Sequence, residues 1–161
     1  MSRMTSFVAG LGLAAILSTG TALAGDAESC KKVRLSDVGW TDIQATTGIA
    51  SVLLTALGYE PEVIQLSVPV TYASLKNNDL DVFLGNWMPS MTADIKDYAA
   101  EGSVETVARN LEGAGYGIVV PKYAADGGVK TLTDIGKFKD KFNGKIYGIE
   151  AGNDGNRIIL D

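Results

Sequence analysis

The stretch Val38-Gly39-Trp40-Thr41-Asp42 decides the fold, because an apolar strand ends there and a helix begins. Residues 33–38 are predicted to form the strand, and the apolar spacing after Asp42 is typical of a helix. A large aromatic ring and a carboxylate therefore stand two residues apart at the carboxyl end of a strand. Ligands of open α/β sheets bind at that end of the strands. The stretch predicts an α/β fold and one corner of a ligand pocket.

The helix after Asp42 carries apolar side chains at the spacing of a helix that faces a core. These side chains are Ile49, Val52, Leu53, Ala56 and Leu57. Gly58 is predicted to end the helix. We expect the helix to cover the sheet with this apolar stripe.

Further strands and helices alternate along the chain. The predicted strands two and three are residues 61–66 and 80–84, and the predicted helices are residues 69–76 and 91–100. Such alternation predicts a mostly parallel sheet with right-handed crossovers. In the strand order 2-1-3, strands one and three are neighbours, and Trp40 and Trp87 follow their carboxyl ends. The two tryptophans are then expected to face one crevice.

A first lobe is predicted over residues 25–118, and residues 119–161 are predicted to begin a second α/β lobe. Extended segments are expected at 104–107, 116–120 and 145–149, and a lysine-rich helix at 131–141. The chain stops within an apolar helical pattern at residues 155–161. We therefore expect it to be the N-terminal part of a longer protein.

Residues 1–24 have the pattern of a secretory signal peptide. Arg3 precedes an apolar run at residues 7–17, and Ala22-Leu23-Ala24 fits a cleavage site. The run is too short to span a bilayer. A mitochondrial presequence is the alternative, but it would be rich in arginine and amphipathic. We expect export to the periplasm and a mature chain that starts at Gly25.

Composition excludes two classes of function. Removal of Arg3 with the leader leaves 13 basic and 19 acidic residues, whereas a nucleic-acid-binding face needs basic residues to neutralise phosphates. Cys30 is the single cysteine of the sequence, so it is either a free thiol or half of a disulfide whose partner lies beyond Asp161. Since the sequence has no histidine to activate it, a catalytic thiol is not expected.

Four motifs, spread over essentially the whole chain after residue 24, resemble the substrate-binding proteins of ABC importers for quaternary ammonium compounds. The motifs are Gly39-Trp40-Thr41-Asp42, Gly85-Asn86-Trp87-Met88-Pro89, Gly113-Ala114-Gly115-Tyr116-Gly117 and Gly152-Asn153-Asp154-Gly155. In that family, aromatic side chains of two lobes enclose the trimethylammonium group, and the lobes close on the ligand. The resemblance implies a two-lobed, type II-like periplasmic-binding-protein fold with αβα lobes, truncated here at its C-terminus. It also implies a membrane permease as partner.

The same resemblance implies that Trp40, Trp87 and Tyr116 are walls of an aromatic box, with Asp42 and Asn153 as polar partners of the ligand. A further wall from the second lobe is expected, and no candidate for it precedes Asp161. Choline is the expected ligand, bound by a monomer without cofactor or metal. Glycine betaine or proline betaine is the alternative, although Asp42 would repel the betaine carboxylate.

Reasoning from the residues alone leaves structural alternatives open. Trp40 and Trp87 fit core positions, Tyr116 fits a packed strand position, and Asp42 fits the N-cap of its helix. Aromatic faces and a nearby carboxylate nevertheless suit a quaternary ammonium ion, which cannot donate a hydrogen bond.

An exported α/β enzyme acting on a small cationic substrate is the alternative from a different class. The sequence has no histidine and no G-x-S-x-G motif, which removes the common hydrolytic designs but leaves a pair of carboxylates open. Asn153-Asp154-Gly155-Asn156 has the composition of a calcium loop but lacks its closing glutamate, so no metal site is predicted. The glycines there also lack the lysine and the spacing of a nucleotide-binding loop.

Overall fold

Three parallel strands form one sheet in the computed structural model, which describes residues 26–161. The strands are β1 (Lys32–Asp37), β2 (Glu60–Gln65) and β3 (Val82–Phe83). Their order is β2-β1-β3, with Leu35 opposite both Val63 and Val82. The expected 2-1-3 order is confirmed, and the carboxyl ends of β1 and β3 are adjacent.

Helices follow each strand and continue through the rest of the chain. They are α1 (Thr41–Ala56), α2 (Val68–Lys76), α3 (Thr92–Ala100), α4 (Lys122–Asp126), α5 (Leu132–Lys137) and α6 (Asp154–Leu160), with 3-10 turns at Glu28–Cys30 and Lys139–Phe142. The helices predicted at 69–76 and 91–100 are confirmed to within a residue. The helix predicted at 131–141 is instead divided into α5 and a 3-10 turn, because Phe138 leaves the helical conformation at φ −104° and ψ 14°.

The core lies where β1 meets α1, α2 and α3. Its buried cluster consists of Val38, Ile43, Val68, Tyr72, Met91 and Ile95. A buried hydrogen bond of 2.7 Å between the hydroxyls of Ser36 and Thr71 joins β1 to α2. The start of β3 is fixed by Arg34, whose guanidinium bonds both carboxylate oxygens of Asp81 at 3.0 and 2.7 Å. This hydrogen bonding lowers the pKa of Asp81 below its ordinary value.

The prediction for the buried face of α1 was wrong. Ile43 and Thr47 are its buried residues. The apolar stripe lies on the other side of the helix, where Ile49, Val52, Leu53 and Leu57 are 59 to 74% exposed. The apolar period correctly predicted a helix. It did not predict which side of the helix contacts the sheet, and that side carries Ile43.

Three predicted extended segments form no strand among residues 26–161. Residues 104–107, 116–120 and 145–149 pair with no neighbouring strand, and strand three, expected at 80–84, pairs only at Val82–Phe83. A strand requires a hydrogen-bonded partner as well as an apolar pattern, and these segments have the pattern alone.

Two further predictions concern the N-terminal region. The proposed leader, residues 1–24, lies outside the described residues. Cys30 is exposed and has no disulfide partner among residues 26–161. No helix in this described part of the chain is long and apolar enough to cross a membrane.

Candidate functional site

The turn between β1 and α1 fixes the position of Trp40. Gly39 adopts φ +85°, a conformation that favours glycine, and a Cβ there would also stand 2.7 Å from Nε2 of the Gln65 side chain. The Asp37 carboxylate accepts a 2.6 Å hydrogen bond from the Gly39 amide and closes the turn. Trp40 then occupies the cap position of α1, half-buried against the core cluster. Its indole N–H donates a 3.1 Å hydrogen bond to Oε1 of Glu150, far along the chain.

Asp42 lies inside the first turn of α1 rather than at its cap. The helix begins at Thr41 and has no side-chain cap hydrogen bond, so the alternative of Asp42 as an N-cap is wrong. The Asp42 side chain is exposed and accepts no hydrogen bond within residues 26–161. Asp42 lies in the first turn of α1, at the positive end of the helix dipole.

Trp87 is held by the loop that follows β3. Its amide N–H contacts Sδ of Met91 at 3.3 Å, and its carbonyl accepts the Met91 amide at 2.9 Å. The preceding Asn86 accepts a 2.8 Å hydrogen bond from the buried hydroxyl of Tyr72. Trp87 is half-buried and packs one side against the core cluster. One part of the Trp87 side chain therefore contacts the core, and the other part is exposed at the surface.

Tyr116 lies beside Trp87. Their ring centroids are 5.9 Å apart at an angle of 48°, and half of Tyr116 is exposed. Partial burial, followed by the charges of Asp154 and Glu150, raises the pKa of the Tyr116 phenol. The phenol therefore stays protonated near neutral pH and donates a 3.1 Å hydrogen bond to Oδ1 of Asn153.

Asn153 connects Tyr116 with Glu150. It is 3% exposed and caps α6, with its Oδ1 accepting the Gly155 amide at 2.8 Å. Its Nδ2 donates to Oε1 of Glu150 at 2.9 Å. An amide nitrogen carries two hydrogens, so one side-chain N–H of Asn153 has no acceptor within residues 26–161.

A continuous chain of contacts therefore joins four of the five residues expected at the site. It runs from Trp40 through Glu150 and Asn153 to Tyr116, and the Tyr116 ring continues it to Trp87. Asp42 stands in the same α1 turn as Trp40 but takes no part in the chain. Sequence reasoning missed Glu150, although it follows an apolar segment and opens a glycine-containing loop, which is the same signal that identified Trp40 and Trp87.

Charged groups of both signs lie around the site, because Lys96 and Arg157 line the pocket beside Trp87 and Tyr116. Asp42, Glu150 and Asp154, here called the acidic trio, form no ion pair within residues 26–161, whereas Asp94 is paired with Arg157 at 2.7 Å. Asp154 is 2% exposed, and its Oδ2 has no hydrogen-bond partner in this part of the chain. The trio therefore places three carboxylates without an ion-pair partner in the described residues beside the aromatic side chains.

The loop before α6 does not have the arrangement of a metal site. No group of three or more acidic, cysteine or histidine side chains that could hold an ion occurs in the described part of the chain. Instead, Oδ1 of the Asn156 side chain accepts a hydrogen bond from the backbone N–H of Ile149 at 2.9 Å. Its Nδ2 donates a hydrogen bond to the backbone carbonyl of Glu150 at 3.0 Å. The asparagines of this loop therefore hold the backbone around Glu150.

Four tyrosines that belong to none of the four motifs, Tyr72, Tyr98, Tyr123 and Tyr147, are packing or surface residues. Tyr72 is buried, and Tyr98 stacks on it with ring centroids 5.8 Å apart. Burial, then the charges of Asp94 and Asp154, raises the pKa of Tyr72. Tyr123 and Tyr147 are 79% and 89% exposed.

Comparisons of sequence give a family and two informative relatives. The profile of a family described as "Substrate binding domain of ABC-type glycine betaine transport system" matches residues 31–161. An uncharacterized protein of Chromohalobacter salexigens, ORF1, is 53% identical over 132 residues, which are 82% of this chain and 85% of that protein. A glycine betaine/carnitine transport binding protein of Listeria monocytogenes is 30% identical over 105 residues, which are 65% of this chain and 34% of that protein.

Two solved structures have the same fold. One is an ABC-transporter choline binding protein in complex with choline, with a TM-score of 0.80 and 60% identity over 84% of this chain and 47% of that chain. The other is an ABC-transporter choline binding protein in an unliganded semi-closed conformation, with a TM-score of 0.73 and 61% identity over 83% of this chain and 46% of that chain. The chain spans about half the length of these structures. The expected periplasmic-binding-protein type of fold is confirmed.

Proposed function

Because this chain belongs to the family of substrate-binding domains of ABC-type glycine betaine transport systems, we propose that it captures choline and delivers it to the membrane permease of an ABC importer. The observation that carries the proposal is the chain of contacts that links Trp40, Trp87 and Tyr116 through Glu150 and Asn153, next to acids without an ion-pair partner in residues 26–161. The 60% identity to a protein solved with choline supports the choice of ligand.

The aromatic box, defined as Trp40, Trp87 and Tyr116, would bind the trimethylammonium group. A quaternary ammonium ion has no N–H, so apolar contact, aromatic faces and negative charge must hold it. Each face supplies roughly 0.5 to 2 kcal/mol, whereas micromolar binding requires about 8 kcal/mol net. Three faces therefore do not suffice, and the Asp42 carboxylate, apolar contacts and a further wall, expected from a second lobe, supply the rest.

Asp42 and Asn153 would bind the hydroxyl end of choline. The exposed Asp42 carboxylate would accept a hydrogen bond from the choline hydroxyl, and the remaining side-chain N–H of Asn153 would donate to the hydroxyl oxygen. Both groups are available because the Asp42 side chain makes no hydrogen bond within residues 26–161 and the Asn153 side chain donates only one of its two N–H groups there.

Glycine betaine is the second candidate, since the family description and the Listeria relative both name it. Its carboxylate would lie near the acidic trio, and like charges about 4 Å apart cost roughly 4 kcal/mol at an effective dielectric of about 20. Repulsion by the carboxylates of the trio therefore favours choline over betaine. The enzyme alternative is set aside because the family is a substrate-binding domain of a transport system.

Location and domain organisation complete the proposal. A binding protein of an importer works outside the cytoplasmic membrane, which fits cleavage of residues 1–24 as a signal peptide and release into the periplasm. The division into lobes at residues 25–118 and 119–161 stays a prediction, as does the monomeric state.

Isothermal titration of the full-length protein with choline and with glycine betaine tests the proposal. We expect choline to bind at least about tenfold more tightly, because of the charge argument above, and to be recovered unchanged. Tyr116→Leu should weaken choline binding, whereas Tyr147→Leu, which alters an 89% exposed tyrosine, should not. No heat with choline, tighter binding of betaine, or conversion of the ligand would contradict the proposal.

A further inference from the structure

We propose that Glu150 is a positioning residue, which fixes the orientation of the Trp40 indole and the Asn153 amide toward the ligand. This inference rests on the proposed function. It adds a residue that neither the motifs nor the resemblance assigned to the site.

One carboxylate oxygen makes both contacts. Oε1 of Glu150 accepts the indole N–H of Trp40 at 3.1 Å and the amide of Asn153 at 2.9 Å. Hydrogen bonds to an ionised acceptor are about twice as strong as those between neutral groups. Glu150 therefore bonds the corner after β1 directly to the loop before α6.

Glu150 itself is firmly held. Its backbone carbonyl accepts hydrogen bonds from Nδ2 of Asn156 at 3.0 Å and from the backbone N–H of Asn153 at 3.2 Å. Its side chain is half-buried, which limits competition from water. A group supported in this way can hold the residues that it contacts, as a preorganised site requires.

The indole bond determines which way the aromatic face points. Trp40 has one side-chain N–H, and only ring orientations that direct it toward Glu150 keep this hydrogen bond. Without that bond, ligand binding would have to order the ring and would lose affinity. The amide bond acts in the same way on Asn153, because it decides which N–H remains for the ligand.

A purely electrostatic role is the competing explanation, and the two roles predict different results for Glu150→Gln. Glutamine keeps an oxygen that can accept both hydrogen bonds but loses the charge. Glu150→Ala removes both the acceptor and the charge. A positioning role predicts that Glu150→Gln keeps the choline affinity that Glu150→Ala loses.

The experiment measures choline affinity by calorimetry for the full-length wild type and these variants. We expect Glu150→Ala to weaken binding about tenfold or more and Glu150→Gln to stay within about threefold of the wild type. The matched controls are Glu60→Ala and Glu60→Gln, at an exposed glutamate of β2, and they should bind as the wild type does. Equal losses for Glu150→Gln and Glu150→Ala would overturn the inference.

A double-mutant cycle and a spectroscopic signal separate positioning from general structural damage. Trp40→Phe keeps an aromatic face but removes the N–H, so Glu150→Ala should cost less affinity in that background than in the wild type. The indole N–H proton resonance of Trp40 should shift in Glu150→Ala and stay near its position in Glu150→Gln. Additive losses or an unmoved resonance would refute the role.

The inference and the proposed function fail in different ways. A wild-type protein that binds neither choline nor betaine contradicts the proposed function. A wild type that binds choline, with Glu150→Ala binding equally well, contradicts only the role of Glu150.

Discussion

Gly155→Ala is expected to displace Tyr116 from the site. A Cβ at position 155 would overlap the Tyr116 phenol oxygen, and it would stand 3.0 Å from Cζ of that ring and 3.1 Å from Oδ1 of Asn153. Ordinary contacts between carbon atoms are about 3.5 to 4.0 Å, so the ring must retreat by roughly 1 Å or more. Half of Tyr116 is exposed, and the ring can therefore swing outward without disrupting the core.

The loss of affinity follows from what the displaced ring gives up. The ring withdraws one aromatic face, worth about 0.5 to 2 kcal/mol, which weakens choline binding by roughly twofold to thirtyfold. The ring also loses its hydrogen bond to Asn153, worth about 0.5 to 1.5 kcal/mol, but that bond is lost with and without ligand and therefore lowers stability rather than affinity. Alanine is the better helix former by about 1 kcal/mol within α6, so the two effects on stability largely cancel and the melting temperature should change little.

Calorimetry with choline and thermal melting of the full-length protein measure both effects. Gly117→Ala is the matched control, because a Cβ there meets nothing within 4 Å. The sharper test adds Tyr116→Phe, which removes the overlapping oxygen. Tyr116→Phe should weaken binding in the wild type but improve it in Gly155→Ala. The reasoning is refuted if Gly155→Ala binds choline as tightly as Gly117→Ala, or if Tyr116→Phe is equally harmful in both backgrounds.

Three further substitutions test the charges and the box of the full-length protein. Asp42→Asn should lower the affinity for choline and reduce the difference between the affinities for choline and glycine betaine in competition binding. The explanation fails if the wild type already binds betaine as tightly as choline. Trp87→Leu should weaken choline binding about twofold to thirtyfold with little change in melting temperature, whereas a residue that serves only the core would show the reverse. Asp154→Asn removes a buried charge, one of whose oxygens has no hydrogen-bond partner within residues 26–161. It should raise the melting temperature without ligand while weakening choline binding. A lower melting temperature would show instead that the Asp154 carboxylate stabilises the folded protein.

The sequence predicted the parts of the fold that depend on local pattern and chain topology. Trp40 and Trp87 were placed correctly at adjacent strand ends, because a parallel 2-1-3 sheet brings those ends together whatever the loops do. The buried face of α1 could not be predicted in the same way. Its apolar stripe has the correct period, yet the sheet contacts the side that carries Ile43, a choice made by packing between elements distant in sequence.

The site was predicted unevenly for a related reason. Tyr116 and Asn153 entered through motifs of a known family, since neither lies at the end of a strand that pairs in the described residues. Glu150 was missed because its role depends on the indole of Trp40, to which it is bonded across 110 positions of sequence. Periodicity does not report a contact of that range, and a glutamate before a glycine-containing loop is common on protein surfaces.

The acidic trio also influences how fast a ligand arrives. Charges of one sign at a cleft raise the association rate of an oppositely charged ligand, and salt reduces the effect because the Debye length falls to about 8 Å at physiological ionic strength. The association rate constant of choline should therefore decrease as salt is added. For 3,3-dimethyl-1-butanol, which has the shape of choline without its charge, the rate should hardly change. Stopped-flow measurements of the two ligands over a range of salt concentrations would measure the steering by Asp42, Glu150 and Asp154 separately from their contribution once the ligand is bound.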